Sequence, residues 1–165
     1  MGTAGRKVRR SAAAEEVIAS AIKLKKKTLA LAESCTGGLV SSRITDVSGS
    51  SAYFRGGVVA YSNDIKINVL NVPADLIKEH GAVSRQVAMA MAEGARRVLG
   101  ADMAAAVTGI AGPGGGTREK PVGLAYVAFV SGKVKKARKV LFKGDRMSVK
   151  NRFAEAVLKM IRENM

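Results

Sequence analysis

One segment near the start of the chain joins an apolar run, a glycine-containing turn and a helical pattern. The apolar run covers residues 28–32, the turn residues 33–38 and the helical pattern residues 39–44. This order predicts a strand, a tight turn and the first turns of a helix. The turn then lies at the carboxyl end of a strand, the edge at which open α/β sheets usually bind their ligands.

The turn itself allows two interpretations. Free N–H groups and the helix dipole at such a turn favour an anionic ligand, which makes Thr36, Gly37 and Gly38 candidate substrate-binding residues. Alternatively, the turn only connects two elements, and Ser34 or Thr36 caps the helix. The Gly-x-x-x-x-Gly-Lys-Ser/Thr spacing of a P-loop is absent, so the local pattern leaves both interpretations open.

The rest of the chain continues the alternation of helical and strand patterns. The first helical pattern begins at Ser11, and the last, capped by Asp145 or Ser148, runs to Ile161. Between them, the patterns predict strands over residues 56–62, 102–108, 124–130 and 134–142, and helices over residues 64–70, 74–79 and 85–98. Residues 131–133 join the last two strands as a hairpin. We therefore predict an α/β fold, a three-layer α/β/α sandwich around a mixed β-sheet.

Length and composition limit the classes of protein. We assign residues 11–165 to one α/β domain and residues 1–10 to a basic, disordered arm. No apolar run approaches the roughly 20 residues of a membrane span, and the basic start lacks the apolar region of a secretory signal. The single cysteine, Cys35, excludes an internal disulfide and suggests a reducing compartment. We expect a cytoplasmic protein without membrane contacts, and one Cys and one His exclude a structural zinc site.

The net charge of +15 is concentrated at the two ends of the sequence. Residues 1–27 carry +6 and residues 133–165 carry +8, whereas residues 28–132 carry only +1. Such ends attract polyanions without defining an activity. Non-specific polyanion binding is therefore expected at the ends, and the specific chemistry is expected in the nearly neutral middle.

Three polar loops follow predicted strands, at residues 33–38, 108–116 and 144–146. If these strands share one sheet, the loops can meet at one edge. The glycines of the second loop leave backbone N–H groups that can form an anion nest for a phosphate or an oxyanion. A flexible surface loop is the alternative interpretation.

The residues offer few candidates for nucleophilic catalysis. His80 is the only histidine and lies at a predicted helix end, where it more often caps the helix. A Cys35–His80 pair is one alternative, and a serine paired with a lysine is another. Lys66 follows the polar residues 61–64 and can act as a general base if burial lowers its pKa; otherwise it is a solvated helix lysine.

Eight short motifs follow one another over most of the chain, from about Thr28 onward. They are Ala32-Glu33-Ser34-Cys35-Thr36-Gly37-Gly38, Gly49-Ser50-Ser51, Tyr61-Ser62-Asn63, Lys66, His80-Gly81-Ala82-Val83-Ser84, Gly109-Ile110-Ala111-Gly112-Pro113, Lys120-Pro121-Val122-Gly123 and Gly144-Asp145-Arg146. Together, and in this order, they closely resemble the C-terminal domain family of the competence/damage-inducible protein CinA. The chain resembles the short members, which lack an N-terminal molybdopterin-binding-like domain and include nicotinamide mononucleotide deamidases.

The resemblance implies hydrolysis of the carboxamide of nicotinamide mononucleotide to nicotinate mononucleotide and ammonia, within pyridine nucleotide salvage and without a metal or organic cofactor. Carried over to this sequence, it assigns Ser51 as the nucleophile and Lys66 as its base, with Ser34 as the rival nucleophile. Tyr61 would hydrogen-bond the reacting centre. Arg146 would face the phosphate or stabilise developing negative charge. The nucleotide would be cradled by Thr108, Gly109, Ile110, Ala111, Gly112 and Gly114.

Two other functions stay open from the sequence. A CinA-like module can keep the nucleotide pocket without catalysis, and a basic protein of this kind can associate with nucleic acid through its ends. The resemblance also implies a homodimer.

Overall fold

The structure is a computed structural model that describes residues 13–165. The predicted arm, residues 1–10, lies outside the described residues. The helices are α1 (Ala14–Leu24), α2 (Leu39–Thr45), α3 (Asn63–Asn68), α4 (Ala74–His80), α5 (Arg85–Val98) and α6 (Arg146–Asn164). The strands are β1 (Leu29–Glu33), β2 (Phe54–Val59), β3 (Met103–Gly109), β4 (Leu124–Ser131) and β5 (Val134–Leu141), and a 3-10 turn covers Ser50–Ala52.

The five strands form one mixed sheet in the order β2-β1-β3-β4-β5. β1 pairs in parallel with both β2 and β3, whereas β4 is antiparallel to β3 and β5. The carboxyl ends of β1, β2 and β3 therefore lie at the same edge. The last two strands form the predicted hairpin, which confirms the mixed sheet.

Alternate residues of the strands face two separate cores, as the two-residue period of a strand requires. Leu29 and Leu31 pack with residues of α1, α2 and α6 on one face. Ala30 and Ala32 pack with residues of α5 on the other face. Helices thus cover both faces of the sheet, which confirms the three-layer sandwich.

Short polar side chains fix where several helices begin. The Ser84 hydroxyl accepts a hydrogen bond from the Val87 N–H at the start of α5, and the Ser62 hydroxyl accepts one from the Ile65 N–H at the start of α3. Asp145 caps α6 in the same way. These caps agree with the sequence pattern. The register of α3 that follows from the Ser62 cap determines where Lys66 lies.

One strand differs from its predicted bounds. β2 begins at Phe54 and ends at Val59 rather than covering residues 56–62. The reason lies at its carboxyl end, where the carbonyl oxygens of Ala60 and Tyr61 accept hydrogen bonds from a lysine side chain instead of a neighbouring strand. Within residues 13–165, the structure has no helix with the length and apolar character needed to cross a bilayer.

Candidate active site

A cavity of about 280 Å³ opens at the carboxyl ends of β1 and β3, between the start of α3 and the glycine-rich loop after β3. Residues from all three predicted polar loops reach it, so the expectation that these loops meet at one edge is correct. The lining residues are Ser34, Cys35, Tyr61, Asn63, Lys66, Ala82, Val83, Thr108, Gly109, Ile110, Ala111, Gly112, Gly114, Gly115 and Arg146.

The centre of the cavity holds a serine and a lysine in direct contact. Lys66 Nζ lies 3.2 Å from Ser34 Oγ, and only 2% of Lys66 is exposed. The same Nζ lies 2.8 Å from the Ala60 carbonyl oxygen and 3.3 Å from the Tyr61 carbonyl oxygen. The β2–α3 connection therefore directs the lysine inward, and Lys66 is not a solvated helix residue.

Burial gives this lysine the properties of a base. Desolvation lowers the pKa of Lys66 from its ordinary value, because the charged ammonium loses water. A neutral amine has two N–H groups and one lone pair. The carbonyl oxygens of Ala60, Tyr61 and Ser62 all lie within 3.4 Å of Nζ. Two of them suffice to accept the N–H groups, which leaves the lone pair for the Ser34 hydroxyl. The geometry is suited to removing a proton from Ser34.

The predicted partner of Lys66, Ser51, lies at the opposite edge of the sheet. Phe54 at the start of β2 pairs with Leu29, and Val59 at its end pairs with Glu33, next to Ser34. Ser51 precedes β2 and is exposed. The six residues of β2 span about 20 Å at roughly 3.3 Å per residue. The pairing of Ser51 with Lys66 is therefore wrong, and the serine beside Lys66 is Ser34.

The anion site predicted at the β1–α2 turn is also wrong, because a carboxylate of the chain already occupies it. Glu33 is 1% exposed, and its Oε2 accepts hydrogen bonds from the N–H groups of Gly38 at 3.1 Å and Val40 at 3.0 Å. Its Oε1 accepts from the N–H and the hydroxyl of Ser41, at 2.8 and 2.7 Å. The N–H groups at the start of α2 are thus satisfied internally.

The three substrate-binding residues assigned to this turn do not line the cavity. The Thr36 hydroxyl is buried and donates to Glu33 Oε2 at 2.6 Å. The Gly37 N–H donates to the Ser34 carbonyl at 3.1 Å, and the Gly38 N–H donates to Glu33. Gly38 rather than Ser34 or Thr36 occupies the N-cap position of α2. The turn holds Ser34 in place and does not contact the cavity through these residues.

The loop after β3 provides N–H groups that no other group of the described residues uses. Within residues 13–165, the N–H groups of Ala111, Gly112 and Gly114 have no hydrogen-bond acceptor, and all three residues line the cavity. The Ile110 N–H is used, since it donates to the Leu124 carbonyl at 2.8 Å and fixes the base of the loop. Anion binding by this loop stays a prediction, which its unused N–H groups support.

Close packing or a left-handed backbone requires glycine at two positions of this loop. Gly112 has a φ of +82°, and a Cβ there would lie 2.5 Å from Val122 Cγ1. A Cβ at Gly109 would lie 2.5 Å from the Ala125 Cβ. Thr108 donates its hydroxyl to the Ala82 carbonyl at 2.8 Å, which links the loop to the α4–α5 connection. The wall of the cavity is therefore closely packed.

An arginine and a tyrosine complete one side of the cavity. Arg146, the first residue of α6, donates through Nη2 to the Tyr61 hydroxyl oxygen at 3.0 Å and through Nη1 to the Gly112 carbonyl oxygen. Tyr61 is 60% exposed. Both side chains line the cavity, as predicted.

The alternative nucleophile pair, Cys35 and His80, does not form. Cys35 lines the cavity, but burial raises the pKa of its thiol to about 12, so the thiol stays protonated at neutral pH. His80 does not line the cavity. Its Nε2 lies 3.5 Å from Glu79, and its carbonyl accepts from Lys120 Nζ at 2.6 Å.

Some site residues were missed by the sequence analysis. Asn63, Ala82 and Val83 line the cavity, and each belongs to a motif that carried the family resemblance without a role. Glu33 supports the site without lining it. The sequence feature that could have identified Glu33 is a carboxylate shortly before the start of a helix, a position typical of a side chain that caps N–H groups. Residues 13–165 contain no cluster of three His, Cys, Asp or Glu side chains able to hold a metal ion.

Comparisons with known proteins show the family of the chain. The family model described as the CinA C-terminal domain matches residues 11–165. A CinA-like protein of Geotalea daltonii is 52% identical over 151 residues, covering 92% of this chain and 37% of that protein. A CinA-like protein of Citrifermentans bemidjiense is 59% identical over 124 residues, covering 75% of this chain and 30% of that protein. The chain thus spans about a third of the length of these relatives.

Solved structures match over nearly their whole length. The competence/damage inducible protein CihA of Agrobacterium tumefaciens is 37% identical with a TM-score of 0.86, covering 90% of this chain and 93% of that one. A CinA superfamily protein of Klebsiella pneumoniae is 30% identical with a TM-score of 0.87, covering 92% and 97%.

Proposed function

Because the chain belongs to the CinA C-terminal domain family, we propose that it hydrolyses the carboxamide of nicotinamide mononucleotide, releasing nicotinate mononucleotide and ammonia. The observation that carries the proposal is the buried contact between Lys66 Nζ and Ser34 Oγ, in a cavity whose opposite wall has free N–H groups. Amide hydrolysis requires an activated nucleophile, donors for the oxyanion and a proton for the leaving nitrogen.

In the proposed mechanism, Ser34 is the nucleophile and neutral Lys66 is the base. Lys66 Nζ takes the hydroxyl proton while Ser34 Oγ forms a bond to the carboxamide carbon. The resulting ammonium then gives its proton to the departing nitrogen, so that ammonia leaves and an acyl ester remains on Ser34. A water molecule, deprotonated by Lys66, attacks this ester. The bond to Ser34 Oγ then breaks, Lys66 returns the proton to Ser34 Oγ, and nicotinate mononucleotide leaves.

The surrounding groups suit the rest of such a substrate. The free N–H groups of Ala111, Gly112 and Gly114 can bind either the phosphate or the developing oxyanion. Arg146 adds a guanidinium that pairs well with a phosphate. The volume of about 280 Å³ lies near the lower end of the roughly 300–1,000 Å³ usual for small-molecule sites, which suits a mononucleotide.

Ammonia release from nicotinamide mononucleotide by the purified protein tests the proposal. We expect Ser34→Ala and Lys66→Met each to lower kcat by roughly 10²–10⁴-fold, because each removes one partner of the proton transfer. Ser51→Ala is the matched control, and its turnover should equal that of the wild type. Turnover that survives both substitutions at the Ser34–Lys66 contact would contradict the mechanism.

A wild-type protein that releases no ammonia would contradict the amidohydrolase function itself. In that case, a rise in melting temperature on adding the nucleotide would favour the non-catalytic nucleotide-binding module. The two results separate binding from chemistry, since they use the same protein and the same ligand.

Two further expectations remain predictions. We propose that the chain forms a homodimer, which multi-angle light scattering would test by comparing the mass in solution with 17.3 kDa.

We also propose a cytoplasmic location, which fractionation of cells expressing the tagged chain would test.

A further inference from the structure

A second groove lies along α6, away from the Ser34–Lys66 contact. It has a volume of about 420 Å³ and is bounded by α6, by β5 with the residue that follows it, and by the first residue of α1. We call it the α6–β5 groove. Its cationic and aromatic lining residues are Arg138, Phe142, Arg152, Lys159 and Arg162.

Two of these cations have no carboxylate partner in the part of the chain that the structure describes. Arg138 lies 3.0 Å from Glu163, and Lys159 lies 3.8 Å from the same carboxylate. Arg152 and Arg162 form no such ion pair among residues 13–165, and both are exposed. Their guanidinium groups are available to an external anion.

The acidic residues nearby are already paired with other cations. Glu155 lines the groove, and its Oε1 lies 2.8 Å from Arg43. Glu163 is shared between Arg138 and Lys159. The groove therefore keeps a positive surplus that comes mainly from Arg152 and Arg162.

The spacing of the two free arginines indicates the size of the ligand. Arg152 and Arg162 are ten residues apart on one helix, which separates their backbones by about 15 Å at 1.5 Å per residue. A ligand with one phosphate does not reach both. A chain of several phosphates does, as in a nucleic acid strand.

The groove also offers an aromatic surface. Phe142 is half-buried and lies in the groove, with the Arg152 guanidinium 5.9 Å from its ring centroid. Proteins that bind single strands without sequence preference combine a basic groove with aromatic rings on which bases stack, aided by arginine. An aromatic ring beside one free arginine, in a groove that holds a second free arginine, fits this combination better than it fits an acidic peptide, which has no bases to stack.

We propose that the α6–β5 groove binds single-stranded nucleic acid, with phosphates on Arg152 and Arg162 and a base against Phe142. This binding is independent of the amidohydrolase function, because the groove and the Ser34–Lys66 contact share no lining residue.

Fluorescence anisotropy of a labelled 16-nucleotide single strand tests the proposal with the full chain, at about 50 and 200 mM salt. We expect Arg152→Ser with Arg162→Ser to weaken binding at least about tenfold at the lower salt concentration. The slope of log K against log salt should become less steep by about 1.4, since each phosphate contact on a single strand contributes roughly 0.7.

The matched control removes two exposed cations from other elements, through Arg55→Ser with Lys78→Ser. These residues do not line the groove, so the control should bind nearly as tightly as the wild type. Equal weakening by both double variants would overturn the proposal, because net charge alone would then explain the binding. Absence of binding by the wild type at about 50 mM salt would overturn it as well.

Two further ligands test the chemical class. We expect an abasic strand of the same length and polyglutamate of similar charge to bind more weakly than the 16-nucleotide strand. Equal binding of either one would overturn the assignment to nucleic acid. Unchanged ammonia release and an unchanged melting temperature in the Arg152→Ser, Arg162→Ser double variant would show that its loss of binding is local.

Discussion

Two glycine-containing connections at the same edge of the sheet were both candidates for anion binding, and a carboxylate of the chain itself occupies one of them. At the first connection, the Glu33 carboxylate accepts hydrogen bonds from the N–H groups of Gly38, Val40 and Ser41. The loop of residues 109–116 has no such internal anion, and the N–H groups of Ala111, Gly112 and Gly114 find no acceptor among residues 13–165. Backbone N–H groups therefore bind an internal carboxylate at the first connection and have no acceptor at the second.

The difference shows how a single buried carboxylate converts a potential binding site into a support. Glu33 receives five hydrogen bonds from the turn and from the start of α2, including one from the Thr36 hydroxyl. Hydrogen bonds to a charged group are among the stronger ones in proteins. The turn is thereby held rigid directly after β1, and Ser34 is placed against Lys66.

Removing the internal anion should have the largest effect on stability. Glu33→Ala leaves one buried and two part-buried N–H groups without their acceptor, each at a cost of about 1–3 kcal/mol, so we expect a loss of about 3 kcal/mol. For a chain of this size, that corresponds to a melting temperature lower by about 6–12 °C. Thermal unfolding followed by circular dichroism measures it.

The same variant tests whether Glu33 acts as an internal anion at the first connection. If the turn is an anion site that Glu33 fills, added acetate should raise the melting temperature of Glu33→Ala and leave that of the wild type unchanged. Acetate has the carboxylate of the missing side chain without its tether. A variant that loses little stability and ignores acetate would show that Glu33 does not act as an internal anion.

Distorting the free loop should affect the substrate more than the fold. Gly112→Ala introduces a Cβ only 2.5 Å from Val122 Cγ1 at a φ of +82°, which displaces the N–H groups that line the cavity. We expect KM for nicotinamide mononucleotide to rise about tenfold, equivalent to roughly 1.4 kcal/mol of lost binding, with a smaller change in kcat.

Gly114→Ala is the matched control for this loop, since a Cβ at Gly114 meets no atom within 4 Å. Its KM should stay within about twofold of the wild type, a difference of less than roughly 0.5 kcal/mol. Steady-state kinetics of both variants measures this difference in KM. Equal KM values for the two alanine variants would show that the loop N–H groups do not hold the substrate.

A further expected effect is a dependence of stability on pH that comes from Lys66. Its pKa in the folded protein is lowered by burial, whereas the unfolded chain has the ordinary value near 10.4. Between these two values the unfolded state binds more protons, so the free energy of unfolding should rise with pH across that window. Below the lowered pKa, both states are protonated and this contribution is constant.

Urea unfolding at several alkaline pH values measures this contribution by comparing the wild type with Lys66→Met. The free energy of unfolding of the wild type should rise by about 1.4 kcal/mol for each pH unit between the two pKa values. This rise should be missing in Lys66→Met. A steeper or equal rise in Lys66→Met would show that other groups cause it. The activity of the wild type should also rise with pH through the lowered pKa, because the base must be neutral.

Much of the local structure follows from sequence patterns alone. The hydrophobic periods predict the alternating elements, and short polar residues such as Ser62 and Ser84 predict helix starts that the structure confirms. Gly112 and its neighbours predict an open loop. These features depend on residues close together in the chain, so a local pattern contains the information.

The identity of the serine beside Lys66 could not be predicted in this way. Ser34 and Ser51 both lie in hydroxyl-rich, glycine-containing segments, and their local patterns are equivalent. They differ in which end of a strand they occupy. That difference has a physical effect only once β2 pairs in parallel with β1, which brings Ala60 and Tyr61 beside Ser34 and moves Ser51 to the far edge.

The sequence by itself thus determined the class of fold, the family and the positions of the main helices and strands, because periodicity and capping act over a few residues. Only the tertiary structure decided which serine meets Lys66, since that contact joins positions 32 residues apart. It also decided that the first turn is filled by Glu33 and the second is open. A buried carboxylate accepts whichever N–H groups the folded backbone places around it, and that arrangement exists only after β1 and α2 have packed together.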